Sequence, residues 1–198
     1  MRMKSPRIPP IEPKDWTAEQ NKMLGEDISD VPINLVKEGK VTNVLKTFGR
    51  YPELFKAWMG FGRHIMFNSS LEPRQREIAI LRIGWLCQCG YEFGRHIIRG
   101  QDAGLSESEI KAVAQGAEAG NWSASEQALI KAADELHWDA FVGDTTYAEL
   151  QKHFSEKQIL DIIFTIGQYN LVSMALNTAG VQLEEDENIP EYKSFVGE

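Results

Sequence analysis

The sequence predicts an all-α bundle, because helical patterning and helix caps recur along the chain while strand patterning is almost absent. From Asp15 onward apolar residues follow helical spacing, with short interruptions at Gly25, Pro32, Gly39 and Pro52. The near absence of β-branched alternation predicts no sheet. With 198 residues, the chain is long enough to build one domain around its own core.

The chain divides into an extended arm, one all-α domain and an acidic tail. Four prolines within residues 1–14 deny that segment helix hydrogen bonds and favour an extended arm, which we expect to lie on a neighbouring subunit. The single domain would cover residues 15–183. An acidic run begins at Glu184, so residues 184–198 are expected to form a solvated tail.

Capping boxes predict the starts of four helices. In this motif a Ser or Thr and a Glu or Gln three residues later satisfy each other's backbone amides. The four boxes are Ser106 with Glu109, Ser123 with Glu126, Thr146 with Glu149, and Ser155 with Gln158. Pro73 suits the first turn of another helix. The predicted helices cover residues 73–86, 90–102, 106–115, 124–139, 146–153 and 156–178.

The segment from Ile159 to Leu176 is apolar on nearly every side. An isolated helix of this kind would expose too much apolar surface, so it is either the central helix of the bundle or a subunit interface. Together with the apolar helix from Arg74 to Leu86, it predicts a homo-oligomer.

Net charge and cysteine content limit which kinds of partner and which cellular location we expect. A net charge of −8 repels a phosphate backbone, so nucleic acid is not expected. Apolar runs such as 83–86 are too short to cross a bilayer, and the N-terminus lacks the apolar stretch of a secretory signal. Two cysteines only one residue apart suit a reducing compartment, which predicts a cytoplasmic protein.

Cys89, Glu92 and His96 form the candidate chemical site. On a helix the spacing i, i+3, i+7 places a thiol, a carboxylate and an imidazole on one face. A cysteine at a helix N-terminus would also be acidified by the helix dipole. An isolated cysteine is more often a core residue than a nucleophile, but these two neighbours favour thiolate chemistry for Cys89. Cys87 has no such neighbours, so a structural role is favoured for it.

These residues resemble a known family signature. Glu77 precedes an apolar helix, CGYEFGRH follows at positions 89–96, and AGLS follows at positions 103–106. The pattern resembles that of the AhpD-like and carboxymuconolactone decarboxylase superfamily, and it covers residues 43–115 well. The resemblance implies an AhpD-like helical bundle that assembles as a trimer or hexamer and needs no cofactor.

In AhpD-like peroxidases a CxxC pair works with an upstream glutamate and a downstream histidine. Carried over by position, these roles fall on Cys89, Glu77 and His96, but the second cysteine position holds Glu92. An ordinary CxxC disulfide therefore cannot form. Cys87 would replace the resolving thiol only if a turn separated it from Cys89, because helix residues two apart point about 200° away from each other.

The leading hypothesis is a thiol peroxidase. The Cys89 thiolate would attack a peroxide to give a sulfenic acid, with His96 and Glu77 relaying protons. An external thiol reductant or Cys87 would then restore the thiol.

The alternative is a cofactor-free lyase. The decarboxylase branch of the family keeps a glutamate four residues before the histidine, as Glu92 and His96 are spaced. These two residues would act as general acid and base on a small carboxylated lactone or aromatic-derived acid. Arg95 and Arg99, one helical turn apart, would hold the substrate carboxylate.

Other interpretations of these residues receive less support. A CxC pair with one downstream histidine fits structural zinc poorly, so no metal is expected. The chain could also be a helical oligomer that kept the motif without turnover. Tryptophans are interpreted as packing residues, and His64, His137 and His153 as structural or exposed.

Overall fold

The structure, a computed structural model, describes residues 3–26, 36–37 and 40–184. Its α-helices are α1 (Ala18–Asn21), α2 (Asn43–Phe48), α3 (Pro52–Arg63), α4 (Pro73–Leu86), α5 (Gly90–Asp102), α6 (Glu107–Gln115), α7 (Ala124–Asp139), α8 (Asp144–His153) and α9 (Glu156–Ala179). A 3-10 turn (Pro13–Asp15) precedes α1, and π-turns follow α1 (Lys22–Glu26) and α3 (His64–Asn68). The predicted all-α class is confirmed.

One short antiparallel ladder contradicts the prediction of no sheet. Strand β1 (Val36–Lys37) pairs with β2 (Lys40–Val41). Two residues are too few for strand alternation to show in the sequence.

Local capping chemistry places most helix ends. Helices α4, α5 and α7 begin and end at the predicted residues, and three predicted capping boxes close. In each box a serine hydroxyl accepts a hydrogen bond from the backbone N–H three residues later, at 3.2 to 3.3 Å. The closed boxes begin at Ser106, Ser123 and Ser155.

The predicted cap at Thr146 is wrong. Helix α8 begins two residues earlier with Gly143 as its N-cap. The Thr146 hydroxyl instead donates to Glu135 of α7 at 2.5 Å, and the Gly143 N–H donates to the other oxygen of the same carboxylate at 2.8 Å. A contact from a neighbouring helix therefore displaces the local motif.

Helix α4 is the centre of the bundle and packs against α5, α6, α7 and α9. Its residues from Glu77 to Gly84 are all buried. Arg82 is satisfied within this core by Asp134 at 2.5 Å and by the carbonyls of Val113 and Ala114 at 3.0 and 2.7 Å. The buried charge of Arg82 is thus paired. Glu77 lies in the same buried part of α4, which fixes its position.

Helix α9 has one buried and one exposed apolar face. Its exposed stripe consists of Leu160, Phe164, Leu171 and Met174, each more than half exposed. An 18-residue stretch of α9 has mean hydropathy 1.5, so by length and composition this helix could cross a bilayer. The expectation that every apolar run is too short is therefore wrong for α9. Since 56% of that stretch is buried inside the fold, α9 also fits the core helix of a bundle.

The N-terminal arm lies against its own chain. The N–H groups of Arg7 and Ile8 donate to the Ala179 carbonyl at 2.8 and 3.1 Å. Gly180 takes a left-handed conformation (φ 71°), and a Cβ there would lie 3.1 Å from the Ser5 carbonyl oxygen. The described arm residues thus contact α9 of their own chain, and contact with a neighbouring subunit stays a prediction. Of the predicted tail, residues 185–198 lie outside the described residues.

Candidate active site

Glu77, His96 and Glu92 form a buried hydrogen-bonded chain. Helix α4 supplies Glu77, and α5 supplies the other two. His96 Nδ1 lies 2.6 Å from Glu77 Oε2, and His96 Nε2 lies 2.9 Å from Glu92 Oε1. All three residues are less than 10% exposed. The structure thus brings together three of the predicted site residues around one imidazole.

The chain favours a protonated imidazole between two carboxylates. Burial and the positive charge of Arg99 oppose charge on His96, but the charge and hydrogen bond of Glu77, with the hydrogen bond of Glu92, outweigh them and raise the histidine's pKa. Burial likewise acts to raise the pKa of Glu77, yet His96 and nearby arginines lower it overall. The raised pKa favours the imidazolium form, in which Nδ1 faces Glu77, Nε2 faces Glu92 and the ring carries a proton to deliver.

Two arginines flank this chain. Arg76 Nε donates to Glu77 Oε1 at 3.2 Å, and Arg99 Nη1 lies 3.2 Å from His96 Nε2. Tyr169 packs its ring edge-to-face against His96, with centroids 5.0 Å apart. The imidazole is thereby fixed on several sides.

The two cysteines lie on either side of a turn between α4 and α5. Cys87 ends α4, Gln88 takes a left-handed conformation (φ 50°), and Cys89 is the N-cap of α5. The Cys89 N–H donates to Gly84 O at 2.9 Å and the Gln88 N–H to Trp85 O at 2.8 Å, which is a Schellman motif. The turn required for any contact between the two thiols is present, and neither cysteine forms a disulfide among the described residues.

The predicted acidification of Cys89 is wrong. Burial, followed by the negative charge of Glu92, raises the pKa of this thiol to about 12. Hydrogen bonds from the Glu92 backbone and the Ser173 side chain act in the opposite direction but are weaker. The helix N-terminus therefore does not make Cys89 a thiolate at neutral pH.

Cys87 has a different environment. Its thiol donates to Asn170 Oδ1 at 2.9 Å, and His137 Nδ1 lies 3.8 Å from its sulfur. His137 also packs against Trp138, which is 72% exposed. The interpretation of tryptophans as packing residues is therefore wrong for Trp138.

A cavity of about 70 Å³ opens beside His96. Its polar wall consists of Arg63, Glu92, Arg95, His96, Arg99 and Gln168. Its apolar wall includes Trp58, Met59, Met66, Tyr91, Tyr169 and Val172. Among the described residues that line this cavity neither cysteine is present. Three arginines against one carboxylate make the cavity suited to an organic anion.

The arginines predicted to bind substrate both reach this cavity, but each already has a contact within the protein. Arg95 lies 3.3 Å from Glu184, which the sequence placed in a solvated tail, and Arg99 contacts His96. The expected solvation of Glu184 is wrong, because its carboxylate is only 11% exposed.

Sequence reasoning missed Arg63, Gln168, Tyr169 and Arg76 as members of the site. Gln168 and Tyr169 are polar groups within the apolar pattern of α9, which is the signal that could have identified them. Arg63 and Arg76 carry no such signal, since arginine is a common residue in helices and is mostly exposed.

Family and structure comparisons agree with the resemblance found in the sequence. The model of the carboxymuconolactone decarboxylase family matches residues 52–135, which contain the Glu77, Glu92 and His96 chain. No curated protein matches the chain.

Several solved structures share the fold. A protein of unknown function from Agrobacterium tumefaciens, named after the antioxidant defence protein AhpD, is 25% identical over 69% of this chain and 94% of its own, with a TM-score of 0.65. The AhpD core of an uncharacterized peroxidase-related protein from Ralstonia eutropha is 18% identical over 92% and 95%, with a TM-score of 0.75. A cysteine-to-alanine variant of the debrominase Bmp8, in complex with 2,3,4-tribromopyrrole, is 15% identical over 92% and 94%, with a TM-score of 0.74. The predicted AhpD-like bundle is confirmed.

Proposed function

We propose that this chain, whose residues 52–135 match the carboxymuconolactone decarboxylase family, is an enzyme in which Glu92 and His96 transfer protons on a small organic anion. One observation carries the proposal: the cavity exposes Glu92 and His96 beside arginines, while both cysteines lie outside its wall. Proton transfer therefore fits the cavity better than thiol chemistry does.

The roles of the two residues follow from their contacts. Glu92, 2.9 Å from His96 Nε2, is the general base that takes a proton from solvent and returns it to His96 after each turnover. His96, kept protonated by Glu77, is the general acid. In a decarboxylation, the carbon–carboxylate bond would break to release carbon dioxide, and its electron pair would pass into a conjugated lactone carbonyl. His96 would then protonate the resulting carbanion, and solvent would restore its proton.

A matched pair of variants tests this assignment. The wild-type chain would be screened against small carboxylated lactones for carbon dioxide release. Glu92→Gln should then reduce kcat by about 10²- to 10⁴-fold, the usual contribution of a general acid or base, whereas Cys89→Ser should retain most activity. Loss of turnover in Cys89→Ser with retention in Glu92→Gln would reverse the assignment and favour the thiol.

Thiol peroxidase activity is the second candidate. It is supported by solved structures described as peroxidase-related and by the substituted cysteine in the debrominase structure. The turn at Gln88 also gives Cys87 a route to Cys89 as a resolving thiol. Peroxide would be the substrate and an external thiol the reductant, and two cysteines without a disulfide among the described residues suit the predicted cytoplasmic location.

We also infer that the exposed stripe of α9 binds a second copy of this chain. Leu160, Phe164, Leu171 and Met174 recur at spacings of four, seven and three, which keep them on one side of the helix. Phe61 of α3 extends this surface by packing edge-to-face on Phe164, with centroids 5.9 Å apart. An uncharged apolar surface of this kind favours a homo-oligomer.

Leu171→Glu should convert the oligomer to a monomer, because it places a charge in the middle of the stripe. Light scattering after size-exclusion chromatography would measure the mass. Phe141→Glu is the control, since Phe141 is 65% exposed and lies in the loop after α7. A wild-type chain that elutes as a monomer at micromolar concentration would contradict the inference.

A further inference from the structure

Glu184 occupies a built carboxylate-binding site at the edge of the cavity. Its Oε1 accepts hydrogen bonds from the Asn43 backbone N–H at 2.6 Å and from the Tyr91 hydroxyl at 2.9 Å. Its Oε2 lies 3.3 Å from Arg95 Nη1. Both oxygens of one carboxylate are thus held by donors from α2 and α5.

The donors belong to the cavity as well as to this contact. Tyr91 and Arg95 line the cavity, as does Val44, the residue next to Asn43. Burial, reinforced by the nearby Glu184 carboxylate, keeps the pKa of Tyr91 well above its ordinary value, so its hydroxyl remains a donor. Arg95 is only 10% exposed, so its charge is directed toward protein groups rather than bulk water.

We propose that the Asn43 N–H, the Tyr91 hydroxyl and the Arg95 guanidinium form a carboxylate subsite that Glu184 fills in the unliganded chain and an organic acid fills on binding. This inference rests on the proposed function, since it places the ligand's carboxylate here and its reacting carbon at Glu92 and His96. Glu184 acts as an internal competitor, because ligand and side chain cannot both occupy these donors.

The stretch that carries Glu184 is anchored to the bundle, while Glu184 itself is held through its side chain. This stretch follows α9 after Gly180 and is held beside α2 by the Asn43 side-chain amide, which donates to the Gln182 carbonyl at 3.0 Å. Gln182 donates in turn to the carbonyls of Met3 and Gly180, at 3.2 and 2.7 Å. Val181 is buried in the core and Leu183 packs against it, so displacing Glu184 requires only its side chain to turn away and leaves the helices in place.

Direct binding of maleate to the full-length chain tests the proposal without any turnover assay. Calorimetric titration should show that Glu184→Gln binds maleate about ten-fold or more tightly than wild type, because a neutral amide competes less well for Arg95. Maleamide, which lacks the charges, should show no such change. Glu149→Gln is the matched control, since Glu149 pairs with Lys152 and His153 on the surface.

A second variant makes the site assignment specific. Adding Arg95→Met to Glu184→Gln should abolish the gain in affinity. Equal maleate affinity in wild type and Glu184→Gln would overturn the proposal, and so would a gain that persists without Arg95. Circular dichroism would confirm that each variant folds. Glu184→Gln keeps the size and shape of the side chain, so it should not disturb folding. Tighter binding without turnover of any substrate would contradict the proposed function alone.

Discussion

His96→Ala should reduce kcat/KM by about 10²- to 10⁴-fold on any substrate that the wild-type chain turns over. The His96 side chain contacts both Glu77 and Glu92, and it reaches the cavity. Its loss removes the proton donor and leaves Glu92 without its partner. The effect should appear in kcat more than in KM, because the cavity arginines still bind the anion.

The matched control for this variant is His153→Ala. His153 lies at the surface at the end of α8, 3.1 Å from Glu149, and should leave kcat unchanged. If His96→Ala retained full activity while remaining folded, neither the lyase nor the thiol mechanism could be correct, since both route a proton through His96.

Glu77→Ala should lower the free energy of unfolding by about 3–5 kcal/mol, the typical cost of removing one partner of a buried ion pair. The substitution leaves the His96 charge buried without its closest counterion and Arg76 without its carboxylate. Urea denaturation followed by circular dichroism would measure the change. Glu107→Ala should have almost no effect, because its pair with Lys111 is exposed. If Glu77→Ala lowered the free energy of unfolding as little as Glu107→Ala does, the result would contradict a stabilising buried ion pair.

The pair also predicts how stability depends on pH. The pKa of His96 is raised from its ordinary value of 6.5. The stabilisation that charged His96 gives the folded state is therefore complete below pH 6.5, and it is lost as pH rises through the pKa of His96 in the folded state. The pKa of Glu77 is lowered from 4.5. The stabilisation that ionised Glu77 gives the folded state is therefore complete above pH 4.5, and it is lost as pH falls through the pKa of Glu77 in the folded state. The pair is therefore most stabilising between pH 4.5 and 6.5. In Glu77→Gln, the loss of folding stability as pH rises above 6.5 should become smaller.

Much of the fold follows from interactions between residues three or four apart. Ser106, Ser123 and Ser155 cap the helices that their sequence motifs predict. Thr146 carries the same motif, yet its hydroxyl donates a hydrogen bond to Glu135 of α7 instead. Capping motifs predict helix starts until a neighbouring helix offers the capping side chain a better partner.

The same distinction applies to the site. The contact between Glu92 and His96 follows from their i, i+4 spacing on α5 and could be predicted directly. Glu77 could be assigned only through the family resemblance, because its contact with His96 joins two helices. The acidity of Cys89 was predicted incorrectly, since helix position is visible in the sequence but burial is not.

The sequence by itself determined the helical class, most helix boundaries and the shared face of Glu92 and His96, because each depends on neighbours within one or two helical turns. Tertiary structure alone decided that the cavity wall carries arginines and no cysteine, that Glu184 contacts Arg95, and that α9 keeps an exposed apolar stripe. These features depend on which helices pack together and which groups lose water. Desolvation and interhelical contact have no signature in the spacing of residues along one helix.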